Sequence, residues 1–571
     1  MSVTRDAPDP RRWVVLAAVA VSALVVTIDN GVLTVAIPTV MHEFDTTLPS
    51  VQWVITGYSL VFATLLIIGG RLGDLFGHRR TFVIGALLFA LGSLLATVSW
   101  SVPSLFVGEA LVEGIGASLM LPATLAVIST TFQGRERATA FAVWGGVVGV
   151  GAALGPVLGG FFTSELSWRW AFGINILVAP ISALGVVLFL RATERPTQRP
   201  RLDVSGAALI SSGLFLLVFG ISEGGTYGWW SPLKSLSIGG AEVWPASLPV
   251  SLMPIVFGGA AVLLTLFVMV ERRKERALRD PLFEFGQLRH RGFRYGLVTN
   301  SVLAMSQLAI LFVLAVFLQE ARHLTPMQTG LWLFPLGAGI AVGARAGAAL
   351  THRIGPTSTV RWGLGLQLVG LLVTALFVSP SITFGELCLG ITAFGGGIGI
   401  ASSQLTNVIL SDVDEERSGV ASGSNTTVRQ VGGALGVAII GTILTVQTVH
   451  HTTAYIRASD LPAAVQVRSI AGVHAYGPSY SPPRGTPPRQ AATLERALVD
   501  GVSDATQPAL LFATAMSLIG IGLSFLIPRI GPQPRPSGDG RTMEMLESLE
   551  LMEPIEPGRD AVLGPGAHPT T

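Results

Sequence analysis

Charge is scarce in this chain. Only 13% of its 571 residues are Asp, Glu, Lys or Arg, whereas 50% are hydrophobic. A soluble chain carries about a quarter charged residues, so the deficit excludes an ordinary soluble protein and points to a polytopic membrane protein. Lysine is almost missing: Lys234 and Lys274 stand alone among 37 basic residues. The formal net charge is +2, and the arginines are scattered between apolar runs. That spread excludes the concentrated basic patch of a nucleic-acid binder. The one cysteine, Cys388, lies in an apolar run, so no disulfide or cysteine metal site can form within the chain. Catalytic signatures are missing too. There is no GxxxxGK[ST] phosphate loop, so ATP is not the energy source, and there is no HExxH. The Gly-rich stretches lie inside apolar runs, where no loop can cradle a phosphate. The chain reads as a non-enzyme with no cofactor and no metal.

What is present is a succession of apolar segments. Fourteen are long enough to cross a bilayer, each needing about 20 residues. They lie near 13–37, 51–70, 81–99, 103–131, 138–162, 169–190, 204–222, 250–270, 294–318, 328–350, 361–379, 383–409, 418–446 and 508–528. The first is too long for a signal sequence and lacks a cleavage motif, so it reads as a retained span. Arginine placement sets the orientation. The loops after even-numbered spans carry Arg135, Arg137, Arg191, Arg195, Arg199 and Arg201, and most richly Arg272–Arg294. The opposite short loops, His42–Ser50 and Trp100–Val102, contain no Lys or Arg. Both termini are therefore expected in the cytoplasm. Residues 447–507 read as an external, largely irregular loop containing SPPRGTPPR. Residues after Arg529, with an acidic patch at Glu544–Glu553, read as a disordered tail.

Between the second and third spans stands Gly70–Arg80, GRLGDLFGHRR, which reads as a tight polar loop. Gly70 and Gly73 allow close packing of the helix end, Gly77 a reversal that a Cβ would hinder, and Asp74 sits where a helix ends. Arg71, Arg79 and Arg80 make the stretch cationic. The pattern G-x-L-x-D-x-x-G-x-R-R resembles the signature loop of the major facilitator superfamily. An internal repeat agrees. Ala348–Gly355, AALTHRIG, copies the spacing of Gly70–Gly77 at an offset of 278 residues, with His352 in place of Asp74. The expected fold is all-α: two six-helix halves plus two central inserted helices. Its parts are a cytoplasmic N-terminus (1–12), an N-terminal half (13–190), a linker with the inserted helices (191–293), a C-terminal half (294–528) that includes the 447–507 loop, and the tail (529–571).

Further motifs narrow the resemblance to the fourteen-span drug:proton antiporter family. The fifth span holds GVGAALGPVLGG, with Gly151, Gly155, Gly159 and Gly160 exposing backbone for close helix crossing and Pro156 bending the rod. This resembles the antiporter motif, where the fifth helix packs between the halves; generic small-residue packing is the alternative. The first span carries IDNGVLTVAIP, similar to the family's first-helix motif, with Gly31 and Thr34 replacing the usual Thr and Asn. Asp29 lies well inside it, and an intramembrane carboxylate needs a function or a partner.

The fourth span departs from the family: Ala110 stands at the motif's Arg, and Glu113 replaces a usual Gln. Glu109 lies four residues before Glu113, on the same helix face. Two like charges there favour binding a proton. Alternatively, one Glu pairs with an arginine from the other half, Arg345 or Arg429, which are candidate charge partners and substrate-cavity residues. Arg429 lies in NTTVRQVGGALG, which resembles the family's thirteenth span. Glu223, Glu320 and Glu386 read as solvated boundary charges, and Trp168 and Trp170 in WRWAFGINI as interfacial anchors.

The resemblance implies a proton-coupled exporter of small amphipathic or cationic compounds, antibiotics among them. Its site residues would be Asp29, Glu109 and Glu113 for coupling and Gly70, Asp74, Gly77, Arg79 and Arg80 as a conformational latch. Partners would be substrate, protons and lipid, in a monomer in a bacterial cell membrane. An importer of the same superfamily, or a transport-dead sensor, is the alternative.

Overall fold

A computed structural model describes residues 11–531 except 133, 191–202, 239–240, 278–280, 412, 414–417 and 484. The expectations for the first ten residues, for Arg191–Arg201 and for the tail beyond Gly531 lie outside the described residues, as do the side chains of Asp74, Arg135 and Arg137. Among the described residues, fourteen helices are long and apolar enough to cross a membrane. In lipid every backbone N–H and C=O must be satisfied within the segment, which leaves the helix as the form these runs can take.

The N-terminal half comprises α1 (Arg12–Glu43), α2 (Leu48–Phe76), α3 (His78–Thr97), α4 (Val102–Thr131), α5 (Gly134–Phe161) and α6 (Trp170–Phe189). Two inserted helices follow, α7 (Val204–Tyr227) and α8 (Met253–Arg276), joined through a small hairpin of β1 (Leu236–Ile238) and β2 (Ala241–Trp244). The C-terminal half comprises α9 (Arg291–Val316), α10 (Pro326–Ile354), α11 (Pro356–Phe377), α12 (Phe384–Leu410) and α13 (Ser418–Ala458). It ends with α14 (Ala463–Tyr476) and α15 (Pro488–Ser524).

The chain reverses twice on a single glycine. Gly77, at φ +93°, separates α2 from α3, and Gly355, at φ +81°, separates α10 from α11. A side chain is strained at both angles. The two sites are the 278-residue repeat of the sequence, now seen as the same one-residue link in each half. They also correct the expected loop. Gly70–Phe76 is helical, and only Gly77 breaks the path. Gly70 meets nothing closer than Pro122, and Gly73 faces His78 of the next helix; the close packing falls one residue earlier, where Gly69 meets the Ser118 backbone.

The inserted pair sits on the seam of the halves. Trp53 of α2 donates to Glu223 of α7 at 2.9 Å, and Thr442 of α13 donates to the Ile221 carbonyl at 3.0 Å. Leu60, Leu214, Val218, Ala434 and Ala438 form the apolar cluster between them. Asp203 caps α7 through the Gly206 amide and also holds Lys274 of α8.

The 447–507 segment is mostly helical, which corrects the expectation of an irregular loop. α13 continues to Ala458, α14 covers 463–476, and α15 begins at Pro488. Its apolar residues explain this: Ile456, Leu461, Val473, Tyr480, Leu494 and Leu498 are buried in one core with the C-terminal half. The Pro-rich composition of 482–488 describes only the link between two helices. Together these helices cap the face opposite the Gly77 and Gly355 turns.

At that face the halves are joined. Gln52 donates to the carbonyls of Val437 and Ala438 at 3.0 and 3.2 Å, Gln319 to Val35 at 2.8 Å, and the Met327 amide to Ser164 at 2.9 Å. Deeper in the bundle, Thr427 donates to the Ala63 carbonyl at 3.1 Å.

Candidate functional site

Asp29 in α1, Glu109 and Glu113 in α4 and Asn175 in α6 meet inside the N-terminal half. All four are at most 2% exposed. One carboxylate oxygen from each acid lies within 4.8 Å of the other two. Asn175 Nδ2 donates to Asp29 at 3.1 Å and to Glu113 at 3.2 Å, tying α1 to α4 through α6. Sequence spacing placed the two glutamates on one face; the structure adds Asp29 to them.

Local geometry explains how α4 delivers both glutamates. Phe106–Glu113 is wound as a π-helix, so the residues that bear the acids occupy the one wide segment of α4. Such segments recur at functional sites. Small residues bring the neighbouring helices in. A Cβ on Gly92 of α3 would strike the Glu113 backbone, and one on Gly57 of α2 would strike Phe106 and approach Ala110 at 3.1 Å. Ala110 is fully buried there, so α2 leaves no room for the arginine of the family motif.

No cation reaches this cluster among the described residues. The ion pairs they form lie toward the bundle ends: Arg12–Glu136 at 2.7 Å, Arg169–Glu43 at 2.5 Å, His42–Glu320 at 3.2 Å, and Lys274 with Asp203 and Glu271. Three carboxylates sharing one apolar pocket can hold protons between them, and their oxygens are close enough to surround a hard cation.

The antiporter-like stretch of α5 packs on both halves. On one side Gly151 faces Leu24 and Thr27, Gly155 faces Ile28 and Gly31, and Gly159 faces Val32, all of α1; a Cβ on Gly31 would come within 2.9 Å of Gly155 Cα. On the other side Gly160 abuts the Pro326 carbonyl, Gly330 abuts the Pro156 carbonyl, and Gly337 abuts Ala153. The same helix therefore touches the neighbours of Asp29 and the opposite half.

Residues 19–437 match the Major Facilitator Superfamily. The chain belongs to that superfamily. It is 34% identical over 444 residues to the probable actinorhodin transporter of Streptomyces coelicolor, covering 76% of this chain and 73% of that protein. It is 30% identical over 533 residues to the tetracenomycin C resistance and export protein of Streptomyces glaucescens, covering 92% and 93%. Against the puromycin resistance protein of Streptomyces alboniger the identity is 34%, with 78% and 84% covered. The fold also matches a bacterial homologue of the lysosomal transporter Spinster, with a TM-score of 0.60 at 16% identity over 91% of this chain and 98% of that one. This major facilitator protein is thus a multi-pass transporter of small molecules in a bacterial membrane, not an enzyme.

Other expectations fare differently. Arg79 donates to the Val187 carbonyl of α6 at 2.5 Å, Arg71 to the Pro281 carbonyl at 2.7 Å, and Arg80 is exposed. Arg345 and Arg429 are exposed on α10 and α13, and neither forms an ion pair among the described residues.

Glu320 is no solvated charge. It is buried and holds His42 across the halves, in a far-face cavity of about 370 Å³ that Gln319, His323, Tyr480 and Glu495 also line. Glu223 is partly buried on Trp53, while Glu386 is exposed and closes a capping box with Thr383. Trp168 is not an interfacial anchor: it is buried and donates to Glu43 at 2.5 Å, with Arg169 over its ring. Trp170 is half-exposed, as an anchor should be.

Sequence reasoning missed Asn175 and His42. Both had a signal, a polar residue within an apolar span and a titratable group opposite Glu320 in the six-helix repeat offset, 278 residues away.

Proposed function

We propose that this protein exports small amphipathic or cationic compounds, antibiotics of the kind named for its relatives included, in exchange for protons. The observation that carries the reading is the buried Asp29–Glu109–Glu113 cluster, joined by Asn175 and lacking a cationic partner among the described residues. At about 5 Å, two ionised carboxylates repel by roughly 3 kcal/mol at an effective dielectric of 20. Loading and releasing a proton therefore changes the energy of the α1–α4–α6 contact, and α5 carries that change to the opposite half. Each charge moved through the membrane contributes about 2.3 kcal/mol per 100 mV, enough to concentrate a substrate. The protein works as a monomer, its energy coming from the proton gradient without a cofactor.

The direct test is flux in everted vesicles across a substrate panel that includes the relatives' antibiotics. An imposed pH gradient should drive accumulation, and dissipating it should release the substrate. Accumulation that ignores the gradient rejects the antiport reading.

Orientation is part of this reading: both termini and the Gly77 link face the cytoplasm, and the α13–α15 cap faces outward. In a Cys388→Ser background, cysteine at the exposed Ser481 should label from outside and cysteine at Ser537 only after permeabilisation. Labelling of both from one side would reverse or break the fourteen-span topology.

The stretch Gly70, Asp74, Gly77, Arg79 and Arg80 serves as the cytoplasmic latch. Gly77 sets the turn, Arg79 already clamps α3 to α6, and a carboxylate at position 74 supplies charge one turn before the turn residue. Asp74→Asn keeps the volume and removes the charge, so export should fall about tenfold or more at normal expression, as loss of a charge-assisted contact predicts. Parental export by a well-expressed variant would remove Asp74 from the mechanism.

A further inference from the structure

On the face that carries the Gly77 and Gly355 turns lies a hollow lined by none of the residues of the Asp29–Glu109–Glu113 site. It encloses about 720 Å³ between the end of α8, the short 3-10 turn Phe285–Arg289 and the start of α9. Arg272, Arg276, Arg289 and Arg294 line it together with His290. One carboxylate, Glu275, is present, and it already accepts the Gly286 amide at 2.7 Å. None of the four guanidinium groups is in an ion pair among the described residues. Arg272 instead lies over the Phe285 ring at 5.6 Å, and Arg294 donates to the Tyr295 hydroxyl at 2.9 Å. The N-terminus of the 26-residue α9 opens beside the hollow and adds its positive end.

The surroundings select among anions. α8 is a peripheral helix, packed chiefly on α7 and little buried along its apolar length. Val262, Leu266 and Met269 are exposed on it at three- and four-residue spacing, and the same stripe continues to Arg272, Arg273 and Arg276. An apolar track therefore runs along the lipid-facing side of α8 and ends in guanidinium groups. Both helix ends that frame the hollow are ends of spans, which puts it at headgroup depth. Phe285, Leu288 and Val413 supply its apolar wall.

From this arrangement we infer that the hollow between α8 and α9 binds the phosphate headgroup of an anionic phospholipid, with an acyl chain along the Val262–Leu266–Met269 stripe. Arginine suits a phosphodiester because its planar fork donates two parallel hydrogen bonds. Basic pockets between spans are a recurrent way of holding such headgroups. A lipid there would staple the inserted α7–α8 pair to the C-terminal half, since one wall comes from each.

Native mass spectrometry of the full chain in detergent tests this, with dioleoyl-phosphatidylglycerol and dioleoyl-phosphatidylcholine as probes and inorganic phosphate as competitor. The parent should retain phosphatidylglycerol in preference to phosphatidylcholine. Arg272→Gln/Arg276→Gln should weaken that retention about tenfold or more, with an unchanged size-exclusion profile. A second variant, Met269→Asn, leaves every charge in place and should weaken retention of the two-chain lipid only. Equal retention of phosphatidylglycerol by the parent and the double variant overturns the proposal. So does complete displacement by inorganic phosphate with no effect of Met269→Asn, which would reassign the hollow to a soluble anion.

Discussion

Glu113→Gln should abolish gradient-driven export while leaving downhill exchange of substrate intact. Gln keeps the shape of Glu113 and can still accept from Asn175, whose 3.2 Å bond is one of the two holding α6 to the cluster. What it removes is one proton-binding carboxylate from three that share a fully protein-lined pocket. A coupled exporter moving one charge can reach about fifty-fold accumulation per 100 mV. An uncoupled variant that still alternates can only equilibrate its substrate, so the accumulation ratio should collapse toward one. Glu109→Gln and the double variant belong beside it, because interacting carboxylates titrate as a unit and the pair can share one proton. Asn175→Ala is the positioning control. It leaves all three carboxylates but cuts both cross-helix bonds, so it should shift the pH profile of export without abolishing its dependence on the gradient. If Glu109→Gln, Glu113→Gln and the double variant all accumulate substrate like the parent, the pair is structural. Asp29→Asn would then be the remaining test of a proton path through this half.

Much of this arrangement was legible because membrane helices are written in long apolar runs, and the runs locate all fourteen spans. Most ends agree within several residues, but α13 runs on to Ala458 and α15 begins at Pro488, well beyond the apolar runs 418–446 and 508–528. The repeat at 278 residues was legible for a sharper reason: a helix can reverse on one residue only where φ is positive, and Gly77 and Gly355 mark those points. The acids could be named individually, since a carboxylate inside an apolar run stands out. Their meeting could not. It depends on α4 widening to a π-helix at Phe106–Glu113, which no periodicity of side chains reveals, and on α1 crossing beside it. The far-face cap was misread from composition. SPPRGTPPR describes a link of about ten residues, whereas the helices on either side are held by leucines and valines spaced for burial against the bundle. Glu320 and Trp168 were misread for a related reason: a residue near the end of a span can lie under a neighbouring half as readily as in water.

The seam between α5 and α10 is the second place where a single change should act strongly. Gly330→Val should reduce export to near background while the protein remains folded and in the membrane. A Cβ at position 330 would strike the Pro156 carbonyl, and one at Gly337 would strike the Ala153 backbone. These are main-chain atoms of a helix, so neither partner can swing aside as a flexible side chain could. Overpacking a fitted contact costs about 1–3 kcal/mol, and each 1.4 kcal/mol changes a conformational ratio tenfold. The contact closes the far face, where Met327 also bonds Ser164 and Gln52 bonds the α13 backbone. A state with that face open does not pay the overpacking cost, so the variant should dwell there. Spin labels at Glu165 and Gln328, both exposed at the mouth of the seam, should report a longer distance in Gly330→Val than in the parent. Gly365→Ala on α11, where an added Cβ meets nothing within 4 Å, should leave both distance and export unchanged and controls for helix glycine loss in general. Parental export together with the short distance in Gly330→Val would mean that α5 and α10 are not packed as described. Loss of export at the short distance would place the defect elsewhere than in closing the far face.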